Sequence, residues 1–194
     1  IFHPFDGFWQ LKNDKQNSTK NAVFVVLAVL AVNILSRQFT GFVFNYQYAE
    51  RLDIFREIRN VILPFVIFCA GNWSVTTLTD GEGSFKDIFT STAYAMIPLI
   101  IITVPSIILS NVFTMEEGAY LAFLGTVSFA WMIFLIFAGN LTIHQFTVSK
   151  ALFNLILTII SMGCIIFILL IFFSLFQQIL GFVISIYNEL SYRI

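Results

Sequence analysis

Five stretches of this chain, each roughly 20 residues or longer, carry no Asp, Glu, Lys or Arg near their middles. A helix needs roughly 20 mostly apolar residues to cross the hydrocarbon of a bilayer. The stretches fall at about 21–40, 61–79, 85–110, 119–141 and 152–176. They predict an all-α fold, a polytopic membrane helix bundle of about five transmembrane helices. Composition agrees. Only 11% of residues are charged, less than half the share in soluble domains. The 24 phenylalanines are more rings than a soluble core of this size hides, whereas lipid accepts them.

The last apolar run is too long for one crossing. Ala151 to Tyr187 would measure about 55 Å as a single helix, against a core about 30 Å thick. Gln177 and Gln178 mark an exit, and residues 177–194 form a C-terminal interfacial extension, although a short sixth crossing is also open. At the other end, residues 1–20 interleave Phe2, Phe5, Phe8 and Trp9 with polar groups before Lys12, Lys15 and Lys20. That mixture suits the headgroup layer, so the expectation is a short interfacial segment. It has no continuous apolar core of a signal peptide, and since it begins at Ile1 it reads as part of a longer polypeptide. The charged segment from Glu50 to Asn60 carries Leu52, Phe55 and Ile58 on a helical stripe. It is either an amphipathic lead-in to the second span or a solvated loop.

The most distinctive stretch is NWSVTTLTDGEGSFKDIF, Asn72 to Phe89. Asp80, Gly81, Glu82 and Gly83 make a tight connection, the glycines supplying backbone conformations that other residues resist. Ser84 with Asp87 resembles a capping box opening the third span. One reading is a helical hairpin; the other is a docking or ion-binding turn over Asp80, Gly81, Glu82, Gly83 and Ser84. An EF-hand places a bidentate Glu at its twelfth position, and here Ser91 stands there. Asn72, Thr76 and Thr79, with Cys69, share one helix face. A polar stripe inside a span usually meets other helices, so Asn72, Thr76, Thr79 and Tyr94 form a candidate interhelical polar face; a solute-lining face is the alternative. Gly71 falls level with Tyr94, which makes Asn72 a candidate partner for the Tyr94 hydroxyl.

Other signals are bland. Pro98 and Pro105 bend the third span. Ala70 with Ser74, Ser91 with Ala95 and Gly118 with Ala122 allow close helix contact. Cys69 and Cys164 sit in apolar runs and behave as small hydrophobes. His3 and His144 have no carboxylate or serine at a catalytic spacing. The sequons at Asn17, Asn72 and Asn140 read as chance. No metal site, cofactor or catalytic residue is expected, and a net charge of -1 gives no electrostatic case for nucleic acid. Lys and Arg divide equally between the two sides, leaving orientation undecided by charge.

The aromatic N-terminal segment with its proline, the lysine-flanked first span and the run NWSVTTLTDGEGSFKDIFTSTAYAMIP together resemble the Yip family of Ypt/Rab-interacting membrane proteins, in its bacterial branch. The resemblance covers nearly the whole chain. It implies five spans, a cytoplasmic N-terminus, location in the bacterial plasma membrane and no enzymatic activity. Eukaryotic members bind Rab-type GTPases, but the Asp-Leu-Tyr-Gly-Pro signature of those members is missing here, so that role does not carry over. Bacterial relatives are often encoded beside carbohydrate ABC importers. The implied function is a non-enzymatic scaffold or accessory subunit associating with other integral membrane proteins, ABC transporter permease subunits among them. The competing function is a small solute permease or channel.

Overall fold

Each apolar stretch is helical in the computed structural model, which describes residues 3–13, 18–45 and 53–193. Phe2, Lys15, Asn17, Glu50 to Leu52 and the Arg193 side chain lie outside the described residues. The elements are α1 (Pro4–Asn13), α2 (Ser18–Phe39), α3 (Ile54–Leu78), α4 (Phe85–Ala95), α5 (Ile97–Ser110), a 3-10 turn (Met115–Glu117), α6 (Gly118–His144) and α7 (Val148–Arg193). No strand occurs among the described residues. Among the described residues, five helical segments are long and apolar enough to span a membrane, with α4 and α5 counted together.

The second span starts earlier than its apolar stretch. Asp53 caps α3 by accepting from the Arg56 backbone N–H at 3.3 Å, so the charged lead-in is the first two turns of a continuous helix. Burial explains why charge is tolerated there. Glu57 is 5% exposed and pairs with Arg37 of α2 at 3.3 Å. Arg37 therefore reaches across to a carboxylate of the neighbouring helix.

The third span is two helices. Pro98 has no N–H to give to the turn before it, and the chain breaks at Met96, whose N–H donates to the Ala93 carbonyl at 3.1 Å. Pro105, in mid α5, causes no break. The Pro98 carbonyl instead accepts from Ser128 Oγ of α6 at 3.1 Å, fastening the break to the next span.

Packing follows from small residues. Ala22, Ala93, Ala95 and Ala138 are completely buried, letting helices approach closely. One cluster joins Ala22 and Val26 of α2 to Phe65 and Cys69 of α3 and Ile88 of α4, with Phe65 edge-on to Phe89 at 5.0 Å. A second joins Phe8 of α1 to Ala95, Leu135 and Ala138, so α1 is seated against α4 and α6. At the far end the Gly41 N–H donates to Ser110 Oγ at 2.9 Å and Asn111 Nδ2 to the Phe39 carbonyl at 2.9 Å, tying α2 to α5.

α7 runs unbroken through Gln177 and Gln178, where the sequence suggested an exit. Its 46 residues make it about 69 Å long. Ala151, Asn154 and Thr158, at three- and four-residue intervals, are completely buried where α7 packs on α3. From Ile166 to Glu189 every residue is exposed.

Candidate functional site

Two polar features adjoin at one end of the bundle: a seam between α3, α6 and α7, and the turn from Asp80 to Ser84. The seam is built from short amides and hydroxyls, which pack like aliphatic groups once their hydrogen bonds are made. Asn72 is 3% exposed and donates through Nδ2 to Thr158 Oγ1 of α7 at 3.4 Å. Thr158 Oγ1 in turn donates to the Asn154 carbonyl at 2.8 Å. Asn154 is the hub. Its Nδ2 donates to Thr79 Oγ1 at 3.0 Å, and its Oδ1 accepts from Asn140 Nδ2 of α6 at 3.2 Å. The Asn140 Oδ1 is buried without a partner among the described residues. Beside it lies a void of about 10 Å³ lined by Asn72, Ser91, Asn140 and His144 among others, the size that one water fills.

Thr76 is 1% exposed; its hydroxyl donates to the Trp73 carbonyl at 3.1 Å and stays within its own helix. Tyr94 is the departure from the sequence expectation. It packs between the two core clusters, and Asn72 bonds to Thr158 of α7 instead. Gly71 likewise lies against Met162 and Thr158 of α7, not against the Tyr94 ring. The polar face of α3 thus serves α7, a span that lies far along the chain.

The turn is shaped by its neighbour His144, the last residue of α6. The Gly83 N–H donates to His144 Nδ1 at 3.2 Å. The imidazole stacks on Phe146 at 5.3 Å, and Lys150 Nζ sits 4.5 Å over the same ring. A Cβ on Gly81 would lie 2.5 Å from His144 Nδ1, and one on Gly83 would collide with Ile143 and His144. Both glycines are therefore demanded by closeness. The left-handed backbone is adopted by Asp80, with φ +54°, while no described glycine has positive φ. This corrects the expectation that the glycines supply the unusual dihedrals. The Gly81 N–H closes the end of α3 on the Thr76 carbonyl at 2.8 Å, a 6→1 bond of the Schellman kind.

The capping box is present. Asp87 N–H donates to Ser84 Oγ at 3.4 Å, and Ser84 N–H to Asp87 Oδ2 at 2.9 Å. Glu82 pairs with Lys12 of α1 at 3.0 Å, which fastens α1 to the turn. Among the described residues no three His, Cys, Asp or Glu side chains gather as a metal site would require. Asn140, Asn154, Thr158 and the placement of His144 were not singled out as site residues from the sequence. The signal was available: Asn154 and Thr158 repeat the i, i+4 spacing of Asn72 and Thr76.

Comparison with known protein families matches residues 1–171 to the Yip1 domain. Comparisons with curated proteins and with solved structures found no match. The match takes in the first four spans, the Asp80–Ser84 turn, the seam and α7 as far as residue 171, and the chain is a multi-pass membrane protein of the Yip1 domain family.

Proposed function

We propose that this protein is a non-enzymatic scaffold or accessory subunit that binds other integral membrane proteins laterally, at their helices. The observation that carries the reading is the distal half of α7. Phe167, Ile168, Leu170, Phe172, Phe173 and Leu175 are each more than half exposed and distributed all round the helix. A helix apolar all round is buried, in lipid or in another protein, and this one reaches well beyond the packed bundle. Ser174, Gln178 and Ser185 fall on one side of it at the helical period, with Gln178 Nε2 donating to Ser174 Oγ at 3.4 Å. Small and polar side chains of this kind are what membrane helices use to associate. The seam, by contrast, is largely occupied with itself: apart from Asn140 Oδ1, its amides and hydroxyls bond to one another or to backbone carbonyls, and its interhelical bonds join α3, α6 and α7. That supports packing over a solute path.

In this reading the partner is a membrane protein of the bacterial plasma membrane, with ABC importer permease subunits the leading class. The Asp80–Ser84 turn faces the cytoplasm as a docking element, and the N-terminus lies on the same side. Purification of the tagged protein in gentle detergent should bring down a membrane-protein partner, and deletion of residues 172–194 should abolish that recovery. Liposomes holding the protein alone should move neither sugars nor ions; saturable, substrate-selective uptake would favour the permease alternative and overturn the proposal.

Orientation has its own test. With Cys69 and Cys164 replaced, cysteines placed at Ser84 and at Glu116 are offered a membrane-impermeant thiol reagent in intact cells. Glu116 should label and Ser84 should not. The reverse pattern would invert the topology.

A further inference from the structure

We infer that the space between α1 and the bundle is a binding site for one acyl chain of a bilayer lipid. The cavity measures about 300 Å³ and is lined by Pro4, Gly7, Phe8 and Leu11 of α1 and by Tyr94, Ile97 and Leu135 of the bundle. Its volume is about twice that of an engineered apolar cavity known to hold benzene. Its walls are apolar apart from Tyr94. Buried water takes two to four polar partners, so such a lining favours a hydrocarbon occupant.

The depth agrees. Leu135 lies nine residues before His144, and Ile97 thirteen after Ser84. At 1.5 Å per residue these are about 14 and 20 Å from the polar end of the bundle. That places the bundle wall of the cavity, at Leu135 and Ile97, at the level of lipid tails in a core about 30 Å thick. The most plentiful apolar species there is the acyl chain itself.

Gly7 shapes the same space from the α1 side. A glycine inside a helix costs about 1 kcal/mol relative to alanine, and there are two usual structural reasons to keep one. Neither applies. Gly7 has no positive φ, and a Cβ built on it meets nothing within 4 Å. Gly139, on the facing helix, shows the contrast: its Cβ would touch Ser91 at 3.4 Å and Phe8 at 3.6 Å. Gly139 lets α1 approach; Gly7 meets open space, as Gly125, Gly163 and Gly181 do, and of these four it is the one that lines the cavity. A side chain at position 7 would occupy that space. The Lys12–Glu82 pair and the buried Phe8 ring then hold α1 over the occupant as a strap.

The test uses the full chain produced in cells fed a fatty acid that carries a photoactivatable diazirine at mid-chain. The protein is purified in mild detergent, washed free of loosely held lipid, irradiated and mapped by mass spectrometry. Adducts should concentrate on Gly7 to Leu11 and on Tyr94 to Ile97, at least fivefold above those on the exposed stretch Phe172 to Ile186. Gly7→Leu should reduce the adducts at Tyr94 to Ile97 at least fivefold and leave those on α7 unchanged. Ile97→Phe, which fills the cavity from the opposite wall, should do the same and stands in if Gly7→Leu does not fold. Adducts no denser at the cavity than on α7, or filling variants labelled to within twofold of the parent, would overturn the assignment.

Discussion

Asn154→Leu is expected to lower stability in detergent by about 2 to 4 kcal/mol, the sum of two lost interhelical hydrogen bonds and the buried groups they leave behind. The side chain is completely buried and joins three helices at once, accepting from Asn140 and donating to Thr79. Leucine conserves volume roughly but satisfies neither neighbour. The Asn140 amide, whose Oδ1 already lacks a partner among the described residues, would then lose its remaining bond as well. The diagnostic is a double-mutant cycle. Asn140→Leu together with Asn154→Leu should cost less than the two single changes added, by about 1 kcal/mol, because removing both partners leaves fewer orphaned polar atoms. Unfolding by titration with a denaturing detergent reads all four corners. A cost for Asn154→Leu below about 0.5 kcal/mol would show that the seam is not what holds α7 to α3.

The second large effect is expected at Gly81. Valine there places a Cβ 2.5 Å from His144 Nδ1 and 3.1 Å from both Cβ and the carbonyl of Thr76. Two of these neighbours belong to the end of α3 and cannot swing aside, so the imidazole has to move. We expect Gly81→Val to cost about 1 to 3 kcal/mol by overpacking and to break the bond from the Gly83 N–H to His144. His144→Ala alone removes one neutral hydrogen bond, about 0.5 to 1.5 kcal/mol. Combined with Gly81→Val it removes the clash too, so the double variant should be more stable than the sum predicts. Thermal unfolding in detergent measures the energies. Proteolysis at the turn reports whether it has lifted from α6, and an undisturbed turn in Gly81→Val would contradict the packing described.

How much of this was legible depended on which solvent each residue faces. The five spans were readable because hydrocarbon imposes a length and an apolar composition on any helix that crosses it. The capping box at Ser84 and Asp87 was readable because its partners are three residues apart. Glu57 was not: a carboxylate in an apparently polar segment looks solvated until α2 brings Arg37 beside it. The face of α3 that carries Asn72 could be identified by periodicity, but not its partner. Periodicity says which side of a helix is polar; which helix it meets depends on how the spans are arranged in the plane, and α7 took the place expected for Tyr94 of α4. The glycines of the turn were found for the wrong reason. Their closeness to His144 depends on a contact 61 residues away, whereas a dihedral requirement can be inferred locally.

The pairing of α3 with α7 also sets an order of events during synthesis. Asn72 waits for a residue 86 positions later, and Thr79 for one 75 positions later. At a ribosomal pace of roughly 5–20 residues per second, that is a delay of about 4 to 17 seconds. Throughout it α3 stands in lipid with its polar face unanswered while α4, α5 and α6 are delivered. The nascent protein is therefore most open to the insertion machinery, and to membrane quality control, just before α7 is made. The arrival of α7 closes that exposure.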